Sequence, residues 1–170
     1  MAGVVAVFSE EKIIMRLSVA SVLMSAALVL LLVGAGWAAP FRLSETEFMR
    51  WVQTQQLPGF VADEESLENY DDREFTLDFM ATGAPQHLSI KIEPGSMAEL
   101  KGDPNLATYV EGQFQGRRLA YCTLKSMAGM SLLYLDLPER GAQLRLLTAP
   151  QKSRADMERL LAAFDLSALR

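Results

Sequence analysis

From Glu74 to Thr148 the apolar residues keep returning at every second position, a pattern that commits this stretch to strands. Phe75, Leu77 and Phe79 alternate with Thr76, Asp78 and Met80, and Leu88, Ile90 and Ile92 alternate with Ser89, Lys91 and Glu93. Each run therefore has one apolar and one polar side. Thr82 to Pro85 is turn-forming, so these two strands make a hairpin. A third strand, Leu106 to Phe114, meets a fourth, Arg117 to Lys125, across Gln115 and Gly116, where a tight turn needs a positive backbone angle. Gly112 inside the third strand implies a bulge or bend. Ser131 to Leu137 and Gln143 to Thr148 complete the series around a turn at Pro138 to Ala142. Short connections favour sequential antiparallel pairing, a meander.

Helical spacing appears only at the two ends of this region. Ser44 and Glu47 form a Ser-x-x-Glu capping box, with Phe48, Trp51 and Val52 on one face and a stop at Pro58 and Gly59. At the other end Ser153 caps a helix with Asp156 in its first turn and a stripe of Met157, Leu160, Leu161 and Phe164. The expected fold class is α+β, an antiparallel meander sheet of about six strands covered on one face by the N- and C-terminal helices. Between the first helix and the first strand, Asp63, Glu64, Glu65, Glu68, Asp71, Asp72 and Glu74 form the most acidic run of the chain. It lacks the spacing and glycine of an EF-hand loop, and reads as a solvated loop or short helix with a weaker reading as a docking patch for a basic partner.

Ahead of the domain, Leu17 to Ala39 carries no charge and follows Lys12 and Arg16. A basic flank, an apolar run and the small residues Gly36 and Ala38 around Trp37 are the parts of a secretory signal. Residues 1–38 are expected to be a signal peptide with initiation at Met15, and residues 39–170 a single exported α+β domain. An uncleaved anchor is the rival reading, because a run of about 20 apolar residues can cross a bilayer. Either way the charge bias places the domain outside the cytoplasm, periplasmic or extracellular, and only an uncleaved leader ties it to the membrane. No cysteine ends the apolar run, so a lipoprotein signal is not expected.

Of the 21 acids and 16 bases in the chain, Glu10, Glu11, Lys12 and Arg16 precede the domain, whose own balance is still −5. That sign disfavours nucleic acid as a partner. Cys122 is the single cysteine, so no internal disulfide forms and its thiol is expected inside the core.

Catalytic patterns are missing from the sequence. His87 is the sole histidine, and there is no Gly-x-Ser-x-Gly, phosphate-binding glycine loop, His-Glu-x-x-His or Cys-x-x-Cys. Glu111 and Asp136 fall in different strands, without a sign that they meet. No enzyme activity, cofactor or metal is therefore expected. The preferred function is an exported accessory or interaction protein of the envelope, with a protein partner contacting Asp71, Asp72, Tyr109, Tyr121 and Tyr134, the tyrosines sharing the face opposite the core. One alternative is a carrier or sensor of a small apolar ligand, lodged between sheet and helices against Trp51, Phe75, Phe79, Leu133 and Leu135. A third, weaker reading is soft-metal binding by Met127, Met130 and Cys122, with Met80 and His87 at the first hairpin turn, since thioether and thiolate ligands suit monovalent copper.

Overall fold

The computed structural model describes residues 41–83 and 85–169; the leader expected over residues 1–38 lies outside the described residues. The order of elements is α1 (Glu45–Thr54), β1 (Phe60–Tyr70), β2 (Glu74–Ala81), β3 (His87–Pro94), β4 (Leu106–Phe114), β5 (Arg117–Leu124), β6 (Ser131–Leu137), β7 (Ala142–Ala149) and α2 (Arg154–Ala162). Among the described residues the seven strands form one antiparallel sheet in the order β1-β2-β3-β7-β6-β5-β4. The fold is α+β with an antiparallel meander sheet, larger than the expected six strands.

The capping box is formed. The Ser44 hydroxyl accepts from the Glu47 amide at 3.3 Å, and the Glu47 carboxylate accepts from the Ser44 amide at 2.9 Å. Phe48, Trp51 and Val52 are buried as their spacing requires. The helix ends at Thr54, before Pro58 is reached, because Gln55 turns to extended backbone and its side-chain amide donates to the Trp51 carbonyl. The Gln55 side-chain oxygen also accepts from the Asp165 amide, while the Trp51 indole donates to the Asp165 carbonyl at 2.7 Å. The first helix is thereby stitched to the C-terminal segment.

The extra strand is the acidic run. Residues 63–70, expected as loop or short helix, belong to β1, which pairs with β2 along one edge of the sheet. Its alternation is hidden by a bulge between Asp63 and Glu68, where the Ser66 hydroxyl accepts from the Asp78 amide in place of a ladder carbonyl. Its acidic side chains are tolerated because an edge strand is exposed to solvent, and there they discourage pairing with another chain.

Pairing is sequential except at one point. β3 pairs with β7 instead of β4, so two meanders, β1 to β3 and β4 to β7, join in the middle of the sheet. The link at residues 95–105 must pass from the sheet centre to its far edge, about 20 Å at four strand spacings. Its eleven residues reach farther than that when extended. The link lies over one face of β5 and β6, where Met97 is buried with Ala120, Cys122, Leu132 and Tyr134.

The register assigns each side chain to a face. The inner face carries Phe75, Leu77 and Phe79, then Leu88, Ile90 and Ile92, Leu144 and Leu146, Leu133 and Leu135, and Leu119. These residues share one core cluster with Phe48, Trp51 and Val52 of α1 and Met157 and Leu161 of α2. Gly112 makes no bulge: its register with Leu119 is regular, and the β4 irregularity falls between Leu106 and Thr108. A side chain at Gly112 would instead collide with the Arg154 guanidinium, which lies 2.1 Å from where a Cβ would stand.

Candidate functional site

Opposite the inner face, the outer face divides into two parts. Over β5 and β6 it is covered by the 95–105 link. Over β1, β2 and β3 it carries Val61, Asp63, Glu68 and Tyr70, then Glu74, Thr76, Asp78 and Met80, then His87, Ser89, Lys91 and Glu93. Of these, Val61, Tyr70 and Met80 are more than half exposed. Val61 and Met80 are register partners, and Met80 in turn is opposite His87. The strip thus places two apolar side chains beside an acidic set in which Asp63 stands directly opposite Asp78.

The charges along this face are organised. The Lys91 ammonium is paired with Glu74 and, at 2.9 Å, with Glu93. Glu93 also takes the Gln143 amide at 3.3 Å and faces Arg145 at 3.9 Å. His87 Nε2 lies 3.6 Å from Asp78 Oδ1. Toward the β4 edge, Arg118 sits between Glu111 at 3.8 Å and Asp136 at 3.9 Å, and Asp136 accepts from the Met97 amide. Glu111 and Asp136, for which the sequence carries no sign of a meeting, are thus both directed at one guanidinium, and Asp136 also holds the link.

The expected partner residues do not make one patch. Asp71 and Asp72 form the tip of the β1–β2 hairpin, both at φ 54, with Asn69 bonded to Asp72 and to Glu45 of α1. Tyr109 lies in β4, at the opposite edge of the sheet, about 29 Å away at six strand spacings. Tyr121 points to the inner face, where its hydroxyl donates to the Lys152 carbonyl, and so does not share a face with Tyr109 and Tyr134. Tyr134 is on the outer face but is buried under the link. Burial pushes the Tyr134 hydroxyl up, and burial together with the bond to Glu111 pushes Tyr109 up to about 12, so both stay protonated at neutral pH.

Cys122 is fully buried in the cluster under the link, and loss of water contact raises its thiol to about 11. Met127 and Met130 lie in the β5–β6 connection, with Met127 nearly half exposed. Among the described residues, no group of three or more His, Cys, Asp or Glu side chains is placed to hold a metal ion. The residues read as a ligand lining are packed on one another: Trp51, Phe75, Phe79, Leu133 and Leu135 are each at most 3% exposed. Phe48 stacks on Phe75 with centroids 5.4 Å apart, and Phe164 contacts both Trp51 and Phe79. A shallow depression of about 270 Å³ between Pro58 and α2, lined by Lys152, Asp156, Arg159, Leu160 and Ala163, opens to solvent instead.

The Val61, Tyr70 and Met80 strip was not visible from the sequence because β1 itself was not. The signal that could have found it is Phe60 and Ala62 just before the acidic run and Leu67 within it, apolar residues that pack against the core. Comparison of the chain with protein-family models, with curated proteins and with solved structures gives no match.

Proposed function

We propose that this chain is an exported accessory protein of the cell envelope, without catalytic activity, whose outer strip on β1, β2 and β3 engages a basic partner protein. The observation that carries the reading is the register pair Val61 and Met80, each more than half exposed, beside Asp63 and Asp78, with exposed Tyr70 and Glu68 farther along the same face of the sheet. Apolar side chains left in water beside unpaired-sign charge are what a partner surface requires. The nearby Lys91 adds little positive charge, being held between two glutamates. In this reading the terminal helices shield the inner face and leave the outer strip for the partner, which accords with α1 and α2 sharing a core cluster with the inner-face residues. Export rests on the uncharged run at Leu17 to Ala39 behind Lys12 and Arg16.

The test places a photo-crosslinking residue at Met80 in growing cells, with the same residue at Arg159 on the exposed side of α2 as control. The expected result is a discrete adduct from Met80 alone, in the envelope fraction, lost when Asp63 and Asp78 are both changed to Lys. Adducts of equal yield from both positions, or full-length protein recovered only from the cytosol, overturn the reading.

A further inference from the structure

The two edges of the sheet are built in opposite ways. β1 is bulged and acidic, the usual means by which an edge is kept from pairing. β4 is regular from Thr108 to Phe114, contains no proline and carries one charge, Glu111. Its outer side has no neighbouring strand among the described residues. Gln115 and Gly116, both at positive φ, make a two-residue hairpin turn in which Phe114 and Arg117 exchange both backbone hydrogen bonds. Counting back by twos through the regular part, Thr108, Val110 and Gly112 bond to β5, and Tyr109, Glu111 and Gln113 direct their amides and carbonyls outward. Arg154 agrees with that count, since it reaches past Gly112 to donate to the Glu111 carbonyl, which keeps a second acceptor position.

We infer that β4 pairs antiparallel with β4 of a second copy of this chain, on a two-fold axis through Val110, joining two sheets into one. The strand is self-complementary in that register. Val110 is the midpoint of Leu106–Phe114, so the two strands overlap from end to end, with residues 108–112 regular in both copies. On the outer face Tyr109 of each copy stands opposite Glu111 of the other, and the hydroxyl–carboxylate bond already made within the strand at 2.9 Å can pass between copies. On the inner face Thr108 stands opposite Gly112, and the two Val110 side chains, now 44% exposed, cover each other. A register centred on Glu111 would set two carboxylates opposite each other, and one centred on Tyr109 would shorten the overlap. The occupant that this edge fits is therefore its own copy.

At the axis the two Val110 residues form a non-hydrogen-bonded pair, whose Cα atoms are about 4.5 Å apart, within disulfide reach. Val110→Cys is expected to oxidise rapidly to a covalent dimer that reduction dissolves, whereas Val61→Cys, more exposed and on the acidic edge, cross-links only slowly. By sedimentation the unmodified chain is expected at the mass of two copies. Val110→Lys, which sets two ammonium groups at the axis, and Gln113→Pro, which removes an outward amide without touching the β5 ladder, are each expected to halve that mass with circular dichroism unchanged. A single-copy mass for the unmodified chain overturns the inference and leaves the edge to a strand of another polypeptide. A two-copy mass that survives both variants, with Val110→Cys no faster than Val61→Cys, also overturns it by placing the contact elsewhere.

Discussion

The inner and outer faces of the sheet are held by different physics. Inside, Phe75, Leu77, Leu88, Ile90, Leu144 and Leu146 are fully buried, and each withdraws apolar area from water at about 25 cal/mol per Å². Outside, Lys91, Glu93 and Arg145 form a ladder of ion pairs at partial exposure, where each pair contributes about 1 kcal/mol or less. The inner face therefore sets stability, and the outer face is free to be set by what it meets. A third condition lies between them: the patch around Cys122, where the 95–105 link gives the outer face a small core of its own.

The sharpest way to break this contrast is Phe75→Ala. Phe75 is fully buried and stacks with both Phe41 and Phe48, so truncation is expected to cost about 3 to 5 kcal/mol in urea unfolding. A loss under about 1 kcal/mol would mean that the inner face does not carry the fold. The small core under the link comes next. Cys122→Ser puts a hydroxyl where a thiol is buried, an expected cost of about 1 to 3 kcal/mol. With its thiol raised to about 11, Cys122 should also resist a disulfide reagent at pH 8 until denaturant is added. Immediate labelling of the native protein would show that the link opens.

These elements were not equally legible from residues alone. β2 to β7 were, since alternating apolar residues in β2 and β3 and short apolar runs in β5 and β6, bounded by Gly, Pro and Asp, leave few other readings. α1 and α2 were, because Ser44 with Glu47 and Ser153 with Asp156 mark their first turns. β1 was not: bulging breaks its alternation, and an acidic edge strand looks like a solvated loop. The jump from β3 to β4 was not, because local spacing cannot say which strand a long link seeks. Met97 and Leu100 in that link are the trace of it, apolar residues in a segment that would otherwise have no reason to hold them. The tyrosines failed for a related reason. β5 is apolar on both sides, Leu119 and Tyr121 inward, Ala120 and Cys122 outward, so alternation does not separate its faces.

At the start of α1, whose apolar residues share the core cluster, the cap sharpens the comparison at lower energy. Ser44→Ala is expected to cost about 1 kcal/mol. The bond that Glu47 accepts from the Ser44 amide, then that from the Ser44 hydroxyl, holds its carboxyl below the usual value of 4.5. A carboxyl with a depressed folded value adds stability above its unfolded value, and that contribution fades as pH falls through the folded one. Stability measured from pH 6 down to pH 3 should therefore fall with a Glu47 component, reduced in Ser44→Ala because the hydroxyl bond is gone. Parallel pH curves for the two proteins would remove the cap from the account.

The smallest expected effect has the opposite sign. Asp63 and Asp78 stand directly opposite across β1 and β2, and like charges so placed destabilise a strand pair by several tenths of a kcal/mol. Asp63→Asn removes the repulsion and keeps the side-chain oxygen that accepts from the Glu65 amide, so a gain of roughly 0.2 to 1 kcal/mol is expected, largest at low salt. A fully buried inner-face position has no such reserve, because a change there loses packing. If the outer strip serves a basic partner, the same substitution weakens that contact while it strengthens the fold, and the repulsion is the cost of a surface kept acidic. Asp63→Asn with lower stability would assign the carboxylate a structural partner and place this part of the outer face under the same rules as the inner one.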